Sequence, residues 1–541
     1  MDKRMKCNRA VAVACGLLMI TCGRASCTPK PVYGTWGLDF AGEDRVTKPG
    51  DDFFRFANGA WLDRTQIPAD KSAVGSAWTM SDLTEARLHD MMERFAAKAT
   101  HQPSDLEGKV GAFYKPFMDQ TRIEQLGAKP LASAVDQVRA AKTRDDLAAF
   151  AGRNASNLDG TLFTLNIDAD LKNPERYTVY VNQGGLGLPD RDYYLKPEFA
   201  VQKKNYQGYV AQLLRLIEWP AANARAKNVV EFETRIAGAS WTKVQERDTV
   251  AMYNPVQVAE LASFAPGFGW SGFLMNAGLS KIDGVIVGDK GAFPNLAAIW
   301  AADPVETLQA WQAAHIADNA APYLSKAFAD AYFEMRGKTL AGQKEQQVRW
   351  KRGVLEVSGG DFPVGDRLVT FGTLGFGVGQ LYTAKYFGPE ARATIKALVV
   401  NLKAPFRSRL EKLDWIGPQT KNEALKKLDT YTIKVGYPDH PRDYSGLAIA
   451  ADDLVGNVRR AAATDLEFYV GRLGGFAQQG LLASSRADVF SPRFFLGDSH
   501  APVKACAIGH GIATCQGSLV PWPVLKLHPI RGYSGRRGAT L

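Results

Sequence analysis

From Leu83 to Leu428 the apolar residues recur three and four positions apart, with one short early break into strict alternation. That period restricts the body of the chain to helices packed on helices, with little sheet. Leu83 to Ala96, Leu131 to Phe150, Val201 to Ile217, Ala221 to Ala239, Pro304 to Ala317 and Leu340 to Val357 all carry it. The segment from Ala393 to Leu413 is the clearest case. Ile395, Leu398, Val399, Leu402, Phe406, Leu410 and Leu413 fall on one stripe, which is expected to face a core. Pro405 is expected to kink or divide that helix. A Lys/Glu/Leu-rich helix follows Thr420. The break comes at Phe163, Leu165 and Ile167, answered by Tyr177, Val179 and Val181 across a polar loop, which predicts a β-hairpin. Tyr431, Ile433, Val435 and Tyr437 alternate as a further strand. Asp361 to Thr373 fits neither pattern and reads as a surface loop insertion.

The two ends differ from this body. All six cysteines lie there: Cys7, Cys15, Cys22, Cys27, Cys506 and Cys515. Nine of the ten excess positive charges lie there too, so the body is nearly neutral. No stripe of Lys and Arg interleaved with aromatics crosses the body, which argues against a nucleic-acid partner. Residues 1–27 read as an export signal: Lys3, Arg4, Lys6 and Arg9, then an apolar run from Ala10 to Ile20, then Gly23-Arg24-Ala25. That run is too short for a stable membrane span. Lipidation at Cys22 is disfavoured by Thr21 before it. The expected location is therefore periplasmic or extracellular. Residues 28–47 read as a linker.

Several motifs then carry a family resemblance. Gly50-Asp-Asp-Phe-Phe-Arg-Phe-Ala-Asn-Gly-Ala-Trp-Leu62, followed by Ile67-Pro68, resembles the opening of neprilysin-like zinc metallopeptidases. Phe53, Phe54, Phe56 and Trp61 are expected to anchor that opening helix in a core. Gly185-Leu-Gly-Leu-Pro-Asp-Arg-Asp-Tyr-Tyr194 resembles the family's loop after its hairpin. Tyr253-Asn-Pro255, Ala320 to Lys326, Gly337-Lys338, Arg349-Trp-Lys-Arg352, Gly379 to Tyr382, Asp414-Trp415 and Lys434-Val-Gly-Tyr-Pro438 continue the series. The resemblance covers about residues 48–475. It implies a mainly α-helical chain with a small β-hairpin: the large N-terminal lobe of a two-lobed fold, whose thermolysin-like catalytic lobe is largely missing. It also implies a family activity, zinc-dependent endopeptidase cleavage of oligopeptides within a closed chamber. There, two His of an H-E-x-x-H helix and a later Glu hold the zinc, which lowers the pKa of bound water and polarises the scissile carbonyl.

This chain departs from that chemistry. Its seven histidines are His89, His101, His315, His440, His500, His510 and His528, and no two stand four apart. Glu467 is the last glutamate. No catalytic, cofactor-binding or metal-ligating residue is therefore expected, and no zinc is expected to bind. The resemblance stops near Phe476, where glutamate vanishes and cysteine and positive charge rise. The simplest reading of residues 476–541 is translation in a shifted frame, giving an unrelated and disordered tail. The tail set His500, Cys506, His510 and Cys515 has no tight C-x2-C pair and matches no trusted zinc spacing. His315 reads as a helix residue rather than a base, and Asp190, Arg191 and Asp192 as a loop-stabilising cluster. Ala73 and Ser81 stand where the best-known animal relatives place substrate-binding arginines. The expected function is thus metalloendopeptidase by descent but inactive in this chain; the alternatives are a non-catalytic peptide-binding lobe or an unstable fragment. With the catalytic lobe gone, the Ile395–Leu413 stripe is expected to be partly exposed and to lower solubility.

Overall fold

The computed structural model describes residues 39–98, 105–157, 160–359, 361–364, 367–370, 374–431, 433–474, 505–508 and 511–514. The expected export signal, most of the linker, and His500, His510 and Cys515 lie outside these residues. Of the tail only the backbone of two short strands is described, Ala505–Ile508 and Gly511–Thr514.

Two compact units are distinguished, one up to Gln66 and one from Ile67 onward. In the first, helix α1 (Phe53–Arg64) is capped by Asp52, whose carboxylate accepts from the Arg55 amide at 2.8 Å. Arg55 bridges Asp44 at 3.1 Å and Asp63 at 2.6 Å. The aromatic anchor is only half as expected. Phe56 and Trp61 are partly buried, but Phe53 and Phe54 are exposed, because the first turn faces outward and ion pairs tie the helix down instead.

The second unit is helical around one small sheet. Helices α2 (Ser76–Ala96) and α3 (Leu106–Met118) pack side by side. The 131–150 pattern is two helices rather than one, α4 (Ala132–Ala140) and α5 (Arg144–Arg153). Thr143 divides them: its hydroxyl and Asp146 form a capping box that starts α5. The hairpin forms where alternation placed it. Strand β1 (Phe163–Ala169) pairs antiparallel with β2 (Tyr177–Gln183), Leu165 opposite Val181. Two short strands missed in the sequence extend it, β3 (Asn254–Gln257) and β4 (Gly284–Val287), in the order β1-β2-β4-β3. Below the sheet Phe163 is ringed by Trp270, Phe293 and Phe268 at 4.5, 4.6 and 5.0 Å between centroids.

Helices α6 (Ala200–Leu216), α7 (Ala222–Ala239) and α8 (Val305–Ala320) pack mutually. The expected helix over 340–357 is replaced by a π-helical turn, Phe333–Leu340, an irregular stretch with Gly342 at positive φ, and α9 (Arg349–Ser358). The segment from Asp361 is a hairpin and not a loop, Asp361–Val364 against Arg367–Thr370. Helix α10 (Gly375–Tyr386) leads to α11 (Pro389–Lys412), which runs undivided through Pro405. Asn401 and Pro405 are both exposed, so water can serve the carbonyl that proline leaves without a partner. Helix α12 (Pro418–Asp429) folds back on α11. The strand expected over 431–437 shrinks to Lys434–Val435. Among the described residues no helix is long and apolar enough to cross a membrane.

Candidate functional site

The glycine-rich segment that leaves β2 cannot hold its shape alone, because it has no ladder partners of its own. Three carboxylates stand around it, Glu233 and Glu356 buried and Asp318 partly so. Glu233, on the stripe of α7 otherwise filled by Ala226, Val229, Val230, Ile236 and Ala237, is fully buried. It accepts from the hydroxyls of Tyr194 at 2.6 Å and Tyr206 at 3.1 Å, and lies 2.9 Å from His315 Nε2. The Tyr194 oxygen in turn accepts from the amides of Gly187 and Leu188 at 3.1 and 2.8 Å. The loop's shape is thus carried to the helices through one phenol.

The π-helical turn supplies the second support. Its widened turn places Arg336 inward, where the guanidinium donates to the Gly187 carbonyl at 2.5 Å and pairs with Asp318. Asp318 also accepts from Tyr209 at 2.5 Å. Burial raises the Tyr194, Tyr206 and Tyr209 phenols well above their usual range, so they stay protonated donors. Gln183 closes the far side, accepting from the Trp241 amide at 2.7 Å and donating to Glu246 at 2.5 Å.

Gln183, Glu246, His315, Asp318 and Arg336 line a cleft of about 210 Å³ together with residues 184–191, Trp241, Lys243, Tyr332 and Glu356. Two of its carboxylates, Asp318 and Glu356, accept from the hydroxyls of Tyr209 and Tyr323, and the Ser240 hydroxyl donates to the Ile236 carbonyl at 2.8 Å. The arrangement rigidifies a loop.

Glu356 is the third carboxylate. Tyr323 donates to it at 2.6 Å, yet burial pushes its carboxyl up to about 7. The ordinary value is 4.5, so between these pH values the folded chain keeps a proton that the unfolded chain releases. Stability is therefore lost as pH rises from about 5 to 7, by up to roughly 3 kcal/mol from this group. Asp465, raised by burial to about 6 beside Arg442, acts in the same direction. Expected result: the melting temperature falls between pH 5 and pH 8, and the fall shrinks in Glu356→Gln. An equal fall in both proteins would contradict this assignment.

The weighed residues that the structure describes have these places. His315 is partly buried against Glu233 and Trp311, as a packed helix residue. Asp190 accepts from the Asp192 amide at 2.7 Å and Arg191 donates to the Ala237 carbonyl at 2.9 Å, so that cluster braces the loop. Ser81 is buried and Ala73 partly so, and neither brings charge. His89 stacks on Trp350 at 4.3 Å, away from His315 in its own setting beside Glu93. Among the described residues no three His, Cys, Asp or Glu side chains gather as a metal ion requires. Sequence reasoning missed Glu233 and Arg336. A lone acid on the apolar stripe of α7 was the available signal for the first.

Comparison with known proteins bears on this architecture. The profile of peptidase family M13 matches residues 49–438. Mycobacterium tuberculosis zinc metalloprotease Zmp1, solved with an inhibitor, superposes with a TM-score of 0.75 at 31% identity, covering 83% of this chain and 67% of that one. PepO from Lactobacillus rhamnosis shares the fold at a TM-score of 0.66 and 22% identity, covering 80% of this chain and 66% of that one. Endothelin-converting enzyme 1 of Homo sapiens is 25% identical over 454 residues, which cover 80% of this chain and 56% of the enzyme. The guinea-pig (Cavia porcellus) enzyme is 26% identical over 415 residues, 73% of this chain and 52% of that one. The chain spans about half the length of the curated relatives it matches.

Proposed function

The chain belongs to peptidase family M13, and on that premise we propose that residues 48–475 form the non-catalytic lobe of a zinc metalloendopeptidase and that this chain does not hydrolyse peptides itself. The observation that carries this reading is chemical. A zinc hydrolase of this type needs two His one helical turn apart, a third ligand, and a carboxylate base. No two of the seven histidines have that spacing, and no glutamate follows Glu467. His315 is engaged by Glu233, and His89 is stacked on Trp350, so neither offers a ready ligand set. The matched carboxylates of the cleft support a scaffolding role for the 184–194 loop, beside which an oligopeptide would lie in an assembled enzyme. We read residues 476–541 as foreign to the lobe, and the chain as exported on its N-terminal signal.

The test is cleavage of a quenched fluorescent oligopeptide by the purified chain with zinc added. The expected result is no turnover above buffer, with or without chelator. Zinc-dependent, chelator-sensitive cleavage would contradict the proposal.

A further inference from the structure

We infer that the guanidinium groups of Arg349 and Arg352, in the first turn of α9, form a binding site for a small divalent oxyanion of the phosphate class. The observation that carries this is a pair of orphaned donors. Nη2 of Arg349 and Nε of Arg352 are both buried and meet no acceptor among the described residues. Arg349 is held from one side: its Nε donates to the Phe117 carbonyl at 2.6 Å, and the group lies over the Phe117 ring at 4.8 Å. Buried N–H groups are seldom left without an acceptor, and two on neighbouring cations point to a missing anion.

The charges lead to the same place. Arg349 and Arg352 stand three positions apart on one helix face, where they repel each other. Burial and that repulsion push Arg349 down to about 10, and burial lowers Arg352 as well. The carboxylates that attract them are engaged with other donors. Glu124 accepts from the Lys326 amide at 2.5 Å, Asp330 pairs with Lys326, and Glu356 accepts from Tyr323 at 2.6 Å. Lys351, the third base of this turn, has Asp70 at 2.7 Å; among the described residues neither arginine has such a partner. The turn contains no acid, although this end of a helix favours negative charge. The donors also select the ligand. Two uncompensated charges are balanced by a dianion. Each planar fork takes a pair of oxygens, so a tetrahedral oxyanion can serve both forks, whereas a carboxylate fills one.

The test is equilibrium dialysis of the purified full chain against radiolabelled inorganic phosphate, in Tris buffer with sodium chloride at constant ionic strength. Saturable binding of about one phosphate per chain is expected. Arg352→Met should weaken it by roughly tenfold or more, one of the two forks being lost. That variant should melt no lower than the parent without phosphate, because it removes a charge held partly out of water. Arg352→Lys, which keeps the charge and loses the fork, should bind with intermediate strength. Lys344→Gln, at an exposed position, should bind as the parent does. Phosphate should raise the parent's melting temperature and leave that of Arg352→Met unchanged. Competition by glycerol 3-phosphate equal to that of free phosphate would support the site and extend it to phosphomonoesters. Competition by the free ion alone would support it and confine it to inorganic phosphate. Acetate competing as well as phosphate would overturn the dianion assignment. No saturable binding, or equal binding by Arg352→Met, overturns the inference and leaves these donors to solvent.

Discussion

Glu233→Ala is expected to destabilise the chain by about 3–5 kcal/mol, a large share of the stability of a folded domain. Glu233 is fully buried and holds Tyr194, Tyr206 and His315 together. Alanine leaves two buried hydroxyls and an imidazole without their acceptor, and opens a cavity among them. Tyr194 also fixes the amides of Gly187 and Leu188, so the loss spreads to the cleft loop. Glu233→Gln keeps one acceptor oxygen and should cost less. Urea denaturation of the three proteins checks this ranking; a variant within about 1 kcal/mol of the parent for Ala would contradict the network's role.

Gly187→Ala is the second large effect, expected at about 3 kcal/mol of destabilisation. A Cβ built on Gly187 would stand 1.7 Å from the Tyr206 hydroxyl oxygen and 2.5 Å from its ring carbon Cζ. Tyr206 cannot retreat without breaking its bond to Glu233. The strain is steric rather than conformational, so a control separates the two. Gly208 lies exposed within α6, and a Cβ there meets nothing within 4 Å. Gly208→Ala should therefore stabilise by roughly 0.5–1 kcal/mol. Opposite signs for the two substitutions in the same denaturation assay are the expected outcome.

The residues show where sequence pattern was informative and where tertiary contacts took over. Alternation at Phe163–Ile167 and Tyr177–Val181 gave the hairpin, because one face of each strand had to meet the core; the register comes from the structure. Strands β3 and β4 are four residues each and borrow their partners from distant segments, so no local period marked them. Thr143 and Gly342 broke two expected helices through a cap and a positive φ, signals shorter than the periodic window. The α11 stripe was legible, and its partial exposure agrees with the expectation: Ile395 and Val399 are buried while Leu402 and Phe406 are open. The cleft was legible only as the motif Gly185–Tyr194. Its supports, Glu233 and Arg336, sit 39 and 149 residues from their partners Tyr194 and Gly187, beyond any local pattern.

The account rests on the claim that a zinc hydrolase's ligands are not present on this polypeptide. Zinc stoichiometry measures that directly: the purified full chain is equilibrated with zinc, desalted, and its metal content determined alongside protein concentration. The expected result is far less than one zinc per chain. One tightly held zinc per chain, lost together with peptide cleavage on chelation, would contradict the account.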